Sequence, residues 1–581
     1  MTTIPPVDPA LPGLSIAQAA RAEPFIVEGD RVRFTGHQTR TGGQVLFRST
    51  SGSAGATAAV RAEGLGHAAN LVLYPGVARR DFAGPHGATV ETVVAPRSLP
   101  FLAWQLSGRE LIETTVAVEI ATPTSNPDVV PTSSGIVVRS DDLRVDLAIF
   151  PDPVAVTVSE SEGGLVVTAR LGSAESNTVT LASGQGPEVE SAIQAARHLG
   201  AHALHAARGE EDVLRTHSGV DAVDDGLAWA LARTGGLIIE RPSAALSLGL
   251  AAASMGHRAA SARALTQLRT SRPTRAAAGV LAACMTSTSG QVGAAAELAN
   301  LLLEDVDTFE PDLLRLAATM LAEALHHGAP PETLTALRAI GSGNGSAVGR
   351  PETGKSLALP MLGDGPSASA PVPDLVSWLA GLLRGDPEAP FVVHDVRASR
   401  ARRSAAAFRS DPDRGWADWR ALLDEGLAEG VLGPATWDDL VEGPADVEPR
   451  SDRPAATAEV LLAFVHGMLG LAPDAPVGRL RIAPRMPTHL TSFTATGIPI
   501  GEGTIRMTYE RAGGAVRYLL EPERIGVPPL LVFEPSVSGS VGSIRIDGRS
   551  AHLDVRRHRG RTLIPVQLPL DDVRALAFEM D

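Results

Sequence analysis

The sequence of 581 residues is short of several residue types, and each shortage excludes something. Lys355 is the only lysine among 51 Lys and Arg residues, so arginine serves wherever lysine could, which reads as coding bias. Aromatic residues make up only 4%, with 13 Phe, 6 Trp and 3 Tyr, so the core has to be built mainly from Ala, Val and Leu. Cys284 is the one cysteine, which excludes an intramolecular disulfide and a cysteine-based zinc cluster. It lies in the apolar helical run 280–285 and reads as a small buried hydrophobe. The opening MTTIPPVDPALPG has neither a basic n-region nor an apolar h-region, and no stretch of about 18 apolar residues is free of charges or breakers. The expectation is therefore a cytoplasmic protein with no membrane partner. Its formal net charge of −15 repels phosphate backbones, so nucleic acid is not an expected partner either.

What is present falls into blocks. Residues 1–22 are rich in Pro and Ala and read as a poorly ordered lead. From 23 to 185 the chain reads as about a dozen short strands separated by Gly, Ser, Pro or Asp. FIVEGDRVRFTG (25–36) alternates around a Gly-Asp turn as a hairpin does, and the whole block predicts a large antiparallel sandwich. At about Gly186 the period changes. The run 188–217 has helical spacing without an internal proline, and a succession of helical segments follows, most of them separated by Gly or Pro. A loop-rich interval, 342–372, interrupts them. Short connections predict antiparallel helix pairs, which carry the chain to about 475. From 476 to 581 the pattern returns to strands, a second and smaller β unit.

This block order resembles the six-hairpin glycosidase superfamily, which includes glucoamylases, glycoside phosphorylases, alpha-L-rhamnosidases and debranching-type enzymes. The resemblance covers nearly the whole chain at the level of block order. It implies an N-terminal antiparallel β-sandwich, a central (α/α)6-like helical toroid with sugar at its mouth, and a small C-terminal β-domain. The passage His466-Gly467-Met468-Leu469-Gly470-Leu471, Pro473-Asp474-Ala475-Pro476 and Arg479-Leu480-Arg481-Ile482-Ala483-Pro484 looks like the junction between toroid and C-terminal domain in such enzymes. As read from the sequence, it is a fold marker that carries no chemistry. Gly433-Pro434-Ala435-Thr436-Trp437-Asp438 looks like the G-A-T-T-x-W-E segment of rhamnosidase-like members, whose Glu supplies an active-site carboxylate. Here the segment is one residue shorter and the acid is Asp. Losing one methylene sets the carboxylate back by about 1.5 Å. The G-R-D-x-x-W-x-A-L stretch of many members has its best counterpart at Glu240-Arg241-Pro242-Ser243-Ala244-Ala245-Leu246, where Pro242 stands for the Asp. Between Arg258 and His327 the only aromatic residue is Phe309, where sugar-binding members carry aromatic loops.

Glycoside hydrolysis needs two carboxyl groups, an acid for the leaving oxygen and a base or nucleophile. The resemblance nominates Asp438 as base, with the acid among Glu240, Asp224 and Asp225, water as acceptor and inversion by analogy. Each has a plainer reading: Asp224 and Asp225 as helix N-terminal charges, Glu240 as the partner of Arg241, Asp438 as a turn or capping residue. Trp437, Trp416 and Trp419 could stack on a sugar, with Arg241 beside them. Trp416 and Trp419 are three apart on one helix face, which a core stripe also produces. The alternative to an enzyme is a non-catalytic relative that binds glycans or a protein partner.

Two further patterns point elsewhere. Gly349 to Ser356 fits G-x-x-x-x-G-K-[ST] and uses the only lysine, but no strand precedes it, and Pro360 and Gly363 break any following helix. It reads as a flexible inter-hairpin loop. His202, His205, His326 and His327 lie on helical runs without the acidic partner of a metalloprotease, so no metal and no cofactor is expected. Carbohydrate is the expected partner. The sugar, the linkage and the oligomeric state are left open.

Overall fold

The structure is a computed structural model. It describes residues 14–17, 24–184, 213–240, 244–270, 274–304, 311–342, 400–428 and 453–581, apart from short breaks at loop positions within 24–184 and at 525 and 559. The chain divides into two compact units. One comprises 1–211, 228–240 and 426–451; the other comprises 212–227, 241–425 and 452–581.

The first unit contains two antiparallel sheets. One has nine strands in the order 14–17, 68–74, 77–84, 87–94, 101–108, 176–184, 143–150, 135–140 and 128–131. The other has seven, in the order 155–161, 164–170, 115–121, 57–62, 40–47, 32–37 and 24–28. The period-2 pattern explains the layering. Val32, Phe34 and the alternate residues of Pro24–Glu28 turn inward, and the predicted hairpin pairs Phe25 with Gly36 and Val27 with Phe34. Both sheets send such residues into one shared core, with Phe25, Phe34 and Val118 from the seven-stranded sheet and Leu102 and Trp104 from the nine-stranded one. That is a β-sandwich. Leu14–Ala17, inside the stretch read as a lead, form a strand because they pair with Asn70–Leu73 at the sheet edge.

One charged pair lies inside this sandwich. Arg80 is fully buried and its Nε donates to Glu91. Its other nitrogens donate to the carbonyls of His37, Arg40 and Gly42, and its guanidinium lies over the Phe25 ring at 4.8 Å. Glu91 also accepts from Trp104 Nε1 at 2.6 Å and from Gly42 N at 2.8 Å. Every donor at the carboxylate comes from a different strand, so the pair fixes their register. Gly42 is required there: its φ is +75°, and a Cβ would meet the Val60 carbonyl oxygen at 1.9 Å.

Ten α-helices appear among the described residues: α1 Asp221–Glu240, α2 Ala245–Ser254, α3 Arg258–Thr270, α4 Arg275–Ser289, α5 Gly293–Glu304, α6 Pro311–Ala324, α7 Pro331–Gly341, α8 Arg400–Ser410, α9 Pro412–Ala428 and α10 Arg453–Leu462. In the first unit, Trp229 of α1 joins the sandwich core. In the second unit α2 packs on α3, α4 on α2, α5 and α6, and α6 on α7. Small residues make this possible. A Cβ on Gly249 would meet the Ala264 Cβ at 2.7 Å and the Leu281 Cδ2 at 2.8 Å, so α3 approaches α2 closely and the Leu281 side chain of α4 packs directly on the α2 backbone. Ala276 to Cys284 of α4 are all buried, which is how a helical core forms with so few aromatic rings.

The remaining strands of the second unit form three sheets. A seven-stranded sheet runs 215–217, 492–500, 503–512, 515–524, 574–580, 541–546, 549–550. A four-stranded sheet runs 471–474, 479–482, 530–533, 566–569, and a three-stranded one 536–538, 561–563, 556–558. Residues 215–217 lie inside the run read as helical, yet they are extended because they pair with Thr494–Thr496. Residues 188–212 of that run, with His202 and His205, and the Gly349–Ser356 string lie outside the described residues. No helix among the described residues is long and apolar enough to cross a membrane.

Candidate functional site

The residues singled out from the sequence take different places. Asp224 is buried in the first turn of α1. Its Oδ1 accepts from Thr216 Oγ1 at 2.9 Å, and its two oxygens share the Ser218 backbone N–H at 3.0 and 2.9 Å. The carboxylate thus closes the turn between strand 215–217 and the helix, and its negative charge suits the helix N-terminus. Asp225 follows it on α1 and Glu240 is the last residue of that helix; the side chains of both lie outside what is described. Arg241, Trp437 and Asp438 lie outside the described residues. Trp416 and Trp419 sit in the core on the inward face of α9. Their ring centroids are 5.5 Å apart, and Trp419 continues to Phe464 at 5.3 Å and Phe464 to Phe493 at 6.3 Å. Trp419 Nε1 donates to the Val460 carbonyl at 3.0 Å, so both its ring and its polar handle are satisfied inside the protein. Asp224 and the Trp pair are on neighbouring elements: a Cβ on Gly226 would touch Leu423, one turn beyond Trp419.

A large polar cleft of about 1080 Å³ opens elsewhere in the second unit. Its floor is the outward face of the four-stranded sheet. In strand 479–482 the residues alternate, with Leu480 and Ile482 buried beneath and Arg479 and Arg481 turned to the cleft. Arg479 donates to Asp474 Oδ2 at 2.7 Å, directly across the register of the neighbouring strand. Arg481 Nε donates to Glu534 Oε2 at 2.8 Å. Val532 and Gln567 complete that face from the next two strands. The walls are helical. Ser287 of α4, Thr319 and Glu323 of α6 and Arg338 of α7 face the sheet, and His326 follows α6, its Nδ1 donating to the Glu323 carbonyl at 2.6 Å. The His326 and His327 rings lie 3.5 Å apart. No aromatic ring of Phe, Tyr or Trp lines the cleft among the described residues.

None of the cleft's carboxylates was a candidate from sequence, although the signal was present. The alternation Arg-Leu-Arg-Ile in 479–482 puts two arginines on one sheet face, in the passage taken only as a fold marker.

A second, closed cluster surrounds His466. α10 runs into a wide π turn at Ala463–Met468, where Leu469 N bonds the Phe464 carbonyl five residues back. This turn presents His466 to the interior. Its Nδ1 donates to the Leu471 carbonyl at 2.9 Å, which leaves Nε2 to accept from Ser254 Oγ at 3.1 Å. Burial lowers the His466 pKa to about 4; the Leu471 bond opposes this and Arg409 adds to it. Cys284 lines the same small space, and burial pushes its thiol up to about 12, against the bond to Ser254. The space is small and enclosed, and both shifts favour the uncharged imidazole and thiol at neutral pH. No group of His, Cys, Asp and Glu among the described residues could hold a metal ion.

No family model and no curated protein matches the sequence. Solved structures to which the chain is similar include a putative kojibiose phosphorylase from the human microbiome, with a TM-score of 0.43 and 9% identity over 96% of this chain and 92% of that one. A bacterial glucoamylase complexed with acarbose gives 0.39 and 8% identity over 80% of this chain and 96% of that one. A family GH92 alpha-mannosidase from Bacteroides thetaiotaomicron in complex with mannoimidazole gives 0.38 and 8% identity over 87% of this chain and 80% of that one.

Proposed function

We propose that this chain is a glycoside hydrolase-like, carbohydrate-active protein acting on a glycan or oligosaccharide, with its helical hairpins arranged as an (α/α)6-like toroid. The observation that carries the reading is the polar cleft of about 1080 Å³, large enough for several sugar rings and lined by convergent hydrogen-bonding side chains. The succession of β-sandwich, helical pairs and C-terminal sheets supports it. In the hydrolytic form of the proposal Asp438 is the base and Glu240 or Asp225 the acid, with Trp437 and Arg241 at the sugar, residues that are not among the cleft's described lining. Asp224 ranks behind the other acids, because donors from Thr216 and Ser218 already hold its carboxylate.

A second reading is a non-catalytic scaffold that binds a glycan or a protein partner. Trp416 and Trp419 are enclosed in the core and offer no ring face to a ligand, which takes two of the three nominated stacking rings away from the sugar and leans toward the protein partner.

Reducing-sugar release from a panel of glycosides, measured beside calorimetric binding of the same panel, separates the two. Hydrolysis lost in Asp438→Asn supports the enzyme. Binding without turnover supports the scaffold. Neither binding nor turnover removes the carbohydrate reading.

A further inference from the structure

The charge of the cleft says more than its size. The chain as a whole carries −15, yet among the described residues four guanidiniums face this cleft, those of Arg338, Arg479, Arg481 and Arg556, against the three carboxylates of Glu323, Asp474 and Glu534. Arg479 and Arg481 are each tied to an acid on the floor. Arg338 on α7 and Arg556 on strand 556–558 are exposed and make no ion pair among the described residues. Cations that are neither neutralised nor buried, lining one concave space, concentrate anions there. The absence of an aromatic platform points the same way. A neutral sugar ring is held largely by stacking its C–H face on an aromatic ring, and among the described residues no Phe, Tyr or Trp ring lines the cleft. The planar guanidinium fork instead suits an oxyanion, which it binds bidentately. The half-exposed Arg479–Asp474 pair is also of a kind that opens at little cost, so Arg479 can turn to a ligand.

We infer that the cleft binds a saccharide bearing an oxyanion substituent, a carboxylate or a phosphate, through Arg338 and Arg556. This rests on the carbohydrate reading above and specifies its substrate class.

The test is calorimetric titration of the full chain with three probes: a trimer of galacturonic acid, galactose 6-phosphate and the neutral galactose trimer. An acidic probe is expected to bind at least about tenfold tighter than the neutral trimer and to weaken as salt is raised. Whichever acidic probe is tighter identifies the oxyanion. The double variant Arg338→Gln/Arg556→Gln is expected to lose about tenfold or more for the acidic probe while its melting temperature stays that of the parent, since neither side chain has a partner to lose among the described residues. Equal binding of acidic and neutral probes, or unchanged affinity in the double variant, overturns the inference and leaves the carbohydrate reading standing. Binding of none of the three overturns both.

Discussion

Lowering the pH places a load on His466 that can be worked out from the structure. The imidazole is buried, its Nδ1–H is held by the Leu471 carbonyl, and its Nε2 accepts from Ser254. Protonation would put a second N–H where Ser254 now donates, and a charge where no carboxylate answers it among the described residues of this cluster. Burial therefore lowers the pKa from 6.5 to about 4. The sign follows. Between these values the unfolded chain binds a proton that the folded chain refuses, so stability falls as pH falls. The contribution is whole above pH 6.5, shrinks through the window and is gone below about 4. The displacement is worth about 3 kcal/mol. Urea unfolding of the full chain from about pH 7.5 to about pH 3.5, with hydrogen exchange read on peptides covering 453–471, gives the profile. In His466→Gln the constant cost of substitution shifts the curve, but the slope from this group vanishes. The parent is expected to lose about 3 kcal/mol more than the variant across the window. Parallel curves for the two would refute the assignment of a neutral, proton-refusing imidazole.

The Arg80–Glu91 pair yields a second expectation: Glu91→Ala strands a buried guanidinium and two N–H groups and costs about 3–5 kcal/mol, whereas Arg80→Met/Glu91→Leu costs less than either single change. Exchange protection of peptides over 77–108 measures both. Asp224→Ala removes the acceptor for Thr216 and Ser218 and lowers stability by about 1–2 kcal/mol, seen as a lower unfolding midpoint in the second unit. Cys284, with its thiol pushed up to about 12, is expected to resist iodoacetamide at about pH 8 in the native protein and to react once unfolded, as mass spectrometry would show.

Much of the fold could be read along the chain, and particular residues show why. Val32, Phe34 and their neighbours alternate with period 2, so the Phe25–Phe34 hairpin was visible before any coordinates. Gly and Pro between helical runs marked the ends of α2 to α7. Strand 215–217 was missed because its partner, Thr494–Thr496, lies almost three hundred residues away and only that pairing makes it extended. The cleft was missed for the same kind of reason: Arg481 and Glu534 meet through a parallel strand pair, which no local pattern announces.

The sequence by itself determined most of the element types and the aliphatic, alanine-rich character of the core, because periodicity and side-chain size are local properties. It also determined that arginine, apart from Lys355, would supply the fixed cations. Only the tertiary structure decided which of the tryptophans face inward, that Asp224 closes a turn, and that Arg338 and Arg556 face one space. Burial and pairing depend on what other elements bring to the same place, and that is a property of the packed chain.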